Sequence, residues 1–128
     1  EEAALDAMDA APTLAEGIDA LFGLLRTGLE DAPPGCLVAR AVGELGANNG
    51  AAGAAVRERL ATTRERFAER IREAVSAGEL LPTKDAAALA GFLLGQMRAF
   101  SLLRGAGEEA AAEAVAEVAR KFVALSGR

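Results

Sequence analysis

With 128 residues, the chain is long enough for one continuous hydrophobic core and too short for two ordinary ones. Its net charge of −5 argues against nucleic-acid binding by this segment, because phosphate contacts need a basic surface. Alanine is abundant, β-branched and aromatic residues are sparse, and the four prolines stand at 12, 33, 34 and 82, so the expected fold class is all-α, helices separated by short breaks.

Residues 1–11 read as the end of a helix that begins upstream, with Ala4, Leu5 and Met8 on one side. After Pro12, Thr13-Leu14-Ala15-Glu16 is a capping box, in which hydroxyl and carboxylate each satisfy an unpaired amide. A helix over 13–30 follows, with Leu14, Ile18, Leu21, Phe22, Leu25 and Leu29 on one stripe at spacings of three and four. EDAPPG breaks the chain. A short helix is predicted over 35–46, with Leu37, Val38, Ala41, Val42 and Leu45 on one side, ended by GANNGAAG, whose glycines and asparagines tolerate a left-handed turn. The longest helix, 52–77, sets Val56, Leu60, Thr63, Phe67, Ile71, Ala74 and Val75 in a narrow stripe. The rest of its surface carries charges of both signs, interleaved as on a solvated exterior. Gly78 breaks it, Pro82 closes the loop, and Thr83 or Asp85 caps a helix over 84–105. The last helix spans 108–125.

The stretch GFLLGQMRAF, residues 91–100, carries two glycines one helical turn apart, each costing about 0.5–1 kcal/mol relative to alanine. At about 100° per residue, Leu89, Phe92, Leu93, Met97, Phe100 and Leu103 face the chain's own core. Ala87, Ala88, Gly91, Gly95, Ala99 and Leu102 lie opposite, with Arg98 among them. A helix apolar nearly all round is buried on both sides, and Gly91, Gly95 and Ala99 at i, i+4 and i+8 let a second helix approach closely. The last helix has a similar excess: Ala111, Ala112, Val115, Val118, Ala119, Phe122, Val123 and Leu125 cover about half of it. Glu113, Glu117, Arg120 and Lys121 form its wet side, with Glu117 and Lys121 ordered as an i,i+4 pair. The expected assembly is a two-fold homodimer in which each subunit gives its last two helices to a four-helix bundle. Its interface residues are Gly91, Gly95, Arg98, Ala99, Leu102, Val115, Val118 and Phe122. Burial against an intrachain partner is the alternative.

These residues resemble a known family, the C-terminal ligand-binding and dimerisation domain of TetR-type transcriptional regulators. The likeness covers roughly 13–125. It rests on Gly35-Cys36-Leu37-Val38 opening a short helix and on Ala74-Val75-Ser76-Ala77-Gly78-Glu79-Leu80 ending a long one. Asp85-Ala86-Ala87-Ala88-Leu89-Ala90-Gly91-Phe92-Leu93 and Leu102-Leu103-Arg104-Gly105-Ala106-Gly107 complete it. The resemblance implies a helical bundle dimerising through its last two helices, a small-molecule pocket among the preceding ones, and an upstream helix-turn-helix domain that binds operator DNA. Residues 1–11 would then end the helix connecting to that domain, which would be missing from a truncated chain such as this is expected to be, and 12–128 would form the ligand-binding and dimerisation domain.

Catalysis finds no support. The chain has no histidine, tyrosine or tryptophan, no phosphate loop, no metal-ligand spacing and no nucleophile beside a base. Neither an enzyme nor a cofactor or metal is expected. Cys36, at a helix start where the dipole favours thiolate, is read as a small space-filling residue; in the family this position approaches the pocket without reacting. As the lone cysteine it forms no internal disulfide, in keeping with a reducing compartment. No uninterrupted apolar run approaches 18 residues and the acidic start is no signal peptide, so a cytoplasmic protein without membrane contact is expected. Twelve arginines against two lysines suit a GC-rich bacterial genome.

Phe22, Phe67, Phe92 and Phe100 lie on inward faces of different helices. Thr63 and Gln96 do too, and each needs a hydrogen bond, from a ligand, a water or a backbone carbonyl, or costs about 1–3 kcal/mol. The expected cavity lies between the 13–30, 35–46, 52–77 and 84–105 helices. Phe22, Leu25, Cys36, Thr63, Phe67, Phe92, Gln96, Met97 and Phe100 line it, for a mainly hydrophobic effector with one or two polar groups. The runner-up is an autonomous helical dimerisation module with no small-molecule site.

Overall fold

The capping box at Thr13 forms by half: its hydroxyl accepts the Glu16 N–H at 3.2 Å, while the free amide of Leu14 is taken by the Glu79 carboxylate at 2.5 Å, from 65 residues away. A local signal thus sets the helix start and a distant carboxylate completes it. The computed structural model describes residues 1–28, 50–81 and 85–125. Within them run five helices: α1 (Glu2–Ala10), α2 (Leu14–Gly28), α3 (Gly50–Ser76), α4 (Ala86–Gly105) and α5 (Glu109–Leu125). The fold is all-α, and the predicted boundaries that fall among the described residues differ from these by two residues at most, as expected of fraying ends. The short helix predicted over 35–46, Cys36 within it, and the cap candidate Thr83 lie outside the described residues.

Each described break has its cause. Gly78, at φ +80°, takes the left-handed conformation after α3, and the Glu79 N–H closes on the Ala74 carbonyl at 2.9 Å, the glycine-dependent helix end. Asp85 caps α4, its carboxylate accepting the Ala88 N–H at 2.9 Å.

The apolar stripes meet in one core. α2 packs against α1 and α5, α3 against α4, and α4 against α5. Leu5, Met8, Leu14, Ile18, Leu21, Phe67, Ile71, Leu93, Met97 and Phe100 are fully buried, each worth about 1.5–3 kcal/mol of transfer free energy. α4 meets the length and mean hydropathy (1.4) that could cross a membrane; the run-based reading missed this because Arg98 interrupts the run. Its inner side is occupied by the core, where Ala90, Leu93, Leu94, Met97, Phe100 and Ser101 are buried.

α1 and α2 cross where Gly17 has no side chain. A Cβ there would stand 2.8 Å from the Met8 carbonyl oxygen and 3.2 Å from Met8 Cγ. Backbone cannot yield as a side-chain tip can, so Gly17→Ala is expected to destabilise by about 1–3 kcal/mol, against a helix-propensity gain of at most about 1 kcal/mol. Gly23→Ala, with nothing within 4 Å of the added carbon, keeps the propensity gain. Urea unfolding of the two variants checks this: the midpoint falls for Gly17→Ala and rises for Gly23→Ala.

Candidate functional site

Phe22 of α2 and Phe100 of α4 meet edge to face, centroids 5.0 Å apart at 65°, and join Phe67 of α3 and Met97 of α4 in one buried cluster. Leu25 packs half-buried against it. The Arg26 and Arg104 guanidinium carbons lie 5.7 and 6.0 Å from the centre of the Phe100 ring, so two cations face its π-surface. Arg26 is held by a fork to Glu113, Nε to Oε2 at 2.6 Å and Nη2 to Oε1 at 2.7 Å, and Arg104 donates to the Arg26 carbonyl at 3.4 Å. That forked hydrogen bond holds Glu113 below the usual carboxylate range and Arg26 above its ordinary value.

The side of α5 read as wet is largely exposed, and from it Glu113 and Arg120 reach across to α2. Arg120 lies 3.5 Å from Asp19, and Lys121 pairs with Glu117 at 3.0 Å as its spacing predicts. Asp19, Phe22, Arg26, Glu113, Ala116, Glu117 and Arg120 line a cleft of about 250 Å³ between the two helices. A second cleft of about 320 Å³, more apolar, lies between Thr13, Leu14, Ala15, Glu79, Leu80, Val123 and Ala124.

The other pocket candidates scatter more widely. Thr63 is buried on α3, one turn from Phe67. Gln96 is half-buried. Phe92 stacks on Phe122 of α5 at 4.7 Å, which joins a pocket candidate to an interface candidate.

On the outer side of α4 and α5, Leu102, Val118, Phe122 and Leu125 are exposed by 47%, 57%, 42% and 85%. Gly95 is exposed, and beyond their own helical turns neither Gly91 nor Gly95 has any atom of the described residues within 4 Å of an added Cβ, so packing among the described residues leaves both gaps open. Ala99 and Val115 are half-buried at the margin. Arg98, read onto this side, reaches Glu1 instead at 2.5 Å, with both side chains nearly covered, 12% and 13% exposed.

Sequence reasoning missed a set of arginines that grips α1. Arg66 of α3 meets Glu2, Asp6 and Asp9 at 3.2, 2.9 and 2.7 Å, and Arg59 meets Glu1 at 3.3 Å. The hydrogen bond to Asp9, above all, raises the Arg66 pKa. Arg70, 4% exposed, donates from Nε to the Met8 carbonyl and from Nη2 to the Ala11 carbonyl, both at 3.3 Å. The signal was present: Arg70 falls three residues after Phe67 and seven after Thr63, inside the apolar stripe of its helix.

Over residues 12–122 the sequence matches the family described as tetracyclin repressor-like, C-terminal domain. Neither the curated proteins nor the solved structures include a match to the chain.

Proposed function

The chain belongs to the family of tetracyclin repressor-like C-terminal domains, and on that premise we propose that it is the effector-binding and dimerisation domain of a bacterial, cytoplasmic repressor. Operator DNA is bound by a helix-turn-helix domain joined through α1, and this part acts by binding rather than by catalysis. The observation that carries the reading is the outer face of α4 and α5, where Leu102, Val118 and Phe122 are exposed beside two unfilled glycine gaps; a second copy of the same face fits it. The effector is mainly hydrophobic and is recognised near the Phe22, Phe67, Met97 and Phe100 cluster. Gln96, half-buried with no hydrogen-bond partner among the described residues, supplies a polar anchor. The ligand regulates by preferring one of two arrangements of α1, since equal affinity for both would shift nothing.

A thermal-shift screen of apolar compounds carrying one or two polar groups tests this. A true effector at about 100 times its Kd stabilises by about 2.7 kcal/mol, roughly 10 °C for a domain of this size. Gln96→Leu is expected to weaken that compound about tenfold with the dimer intact. Unchanged affinity removes Gln96 from the site, and a screen with no stabilising compound favours a dimerisation module without a small-molecule site.

A further inference from the structure

α1 carries Glu2, Asp6 and Asp9 at i, i+4 and i+7, and α3 presents Arg59, Arg66 and Arg70 along one edge of its buried stripe. Arg66 bridges all three acids on the solvent side. Arg70 works differently, at the C-terminal end of α1. The Met8 carbonyl would normally accept from the amide of residue 12, but Pro12 has no N–H, and Arg70 Nε fills that place while its Nη2 takes the Ala11 carbonyl. No carboxylate lies within ion-pair distance of Arg70 among the described residues, so its buried charge is met by the negative end of the α1 dipole. Gly17 of α2 packs against the same Met8 carbonyl, and Thr63 and Phe67 share the buried stripe of α3 with Arg70.

We propose that Arg70 is the positioning residue that couples α3 to α1, with Arg66 as a salt-sensitive brace: a shift of α3 at Thr63 and Phe67 is carried to the C-terminal end of α1 through the two Arg70 hydrogen bonds. Its regulatory meaning rests on the reading of α1 as the link to a DNA-binding domain; the coupling itself does not.

Amide hydrogen exchange on the full 128-residue chain tests it without ligand or DNA, so its failure is separate from failure of the effector reading. Arg70→Met is expected to speed exchange of the α1 amides about tenfold or more, leaving those of 93–100 in α4 unchanged. Arg70→Lys, able to reach one carbonyl, restores part of the protection. Arg66→Gln has a smaller effect and reduces the salt dependence of α1 exchange, most around Asp6 and Asp9. Transmission is read from a double-mutant cycle: Phe67→Leu changes α1 exchange when Arg70 is present and not in the Arg70→Met background. The proposal is overturned if Arg70→Met leaves α1 protected, if α1 and α4 lose protection together, or if Phe67→Leu acts alike in both backgrounds.

Discussion

Phe122→Asp is expected to leave the chain monomeric at micromolar concentration, where the proposed two-fold assembly predicts a dimer for the parent. Phe122 is 42% exposed, backed by Phe92 at 4.7 Å and flanked on its own helix by Val118 one turn away. Aromatic side chains held in this way are typical anchors of an interface centre. In a two-fold dimer each substitution enters twice, and each carboxylate loses its water without gaining a partner, a cost of several kcal/mol per ion. A loss of at least about 100-fold in Kd follows, since about 1.4 kcal/mol is tenfold.

Gly95→Leu separates this from damage to the fold. Beyond its own helical turn, no atom of the described residues stands within 4 Å of a Cβ at Gly95, and leucine is the better helix former by roughly 0.8 kcal/mol or more. The variant should keep its helicity, unfold at higher denaturant as a monomer, and still dimerise poorly because a partner helix can no longer approach. Light scattering and circular dichroism on the same samples read both effects, with an interface of about 1,200–2,000 Å² expected for the parent. A parent that runs as a monodisperse 13.1 kDa species, or a Gly95→Leu chain that dimerises as well as the parent, would sink the two-fold bundle.

The helices themselves were legible because stripes such as Leu14, Ile18, Leu21 and Phe22 repeat at the helical period, and turn residues such as Gly78 mark a break with a mechanism. What was not legible lies between helices. Glu79 completing the start of α2 has no local signature, because its partner amide is far away in sequence. Arg98 sits at the edge of the small-residue face on a helical wheel, about 60° from its centre at Gly95, and only the approach of Glu1 decides where its charge goes. The charges of α1 and α3 looked like solvent decoration because each helix was read alone; that Glu2, Asp6 and Asp9 meet Arg66, and Glu1 meets Arg59, emerges only when the two are laid side by side. Phe92 belongs to the same class as Arg98, at the boundary between inward and outward faces, and it turned towards Phe122.

The largest loss of stability is expected from Phe100→Ala, about 3–5 kcal/mol. Phe100 is fully buried, meets Phe22 edge to face, and lies under the Arg26 and Arg104 guanidiniums. The aromatic pair adds about 0.5–1.5 kcal/mol beyond its area, and the cations contribute further. The cost should fall at the upper end because the site is poorly able to collapse: Arg26 is fixed by its fork to Glu113, Arg104 by the Arg26 carbonyl, and Phe22 by the core around it. A lined, unfilled space then remains where the ring was, and an apolar cavity of that kind admits benzene-sized molecules. Toluene should accordingly raise the unfolding midpoint of Phe100→Ala and leave that of the parent unmoved. Val115→Ala, at a half-buried margin of α5, serves as the comparison, losing no more than about 1–2 kcal/mol and gaining nothing from toluene. If Phe100→Ala unfolds within 1 kcal/mol of the parent on the order-of-magnitude scale of core truncations, or toluene stabilises both chains equally, then the cluster around Phe100 is loose enough to close over the missing ring, and the rigid aromatic wall assigned to the effector site is lost with it.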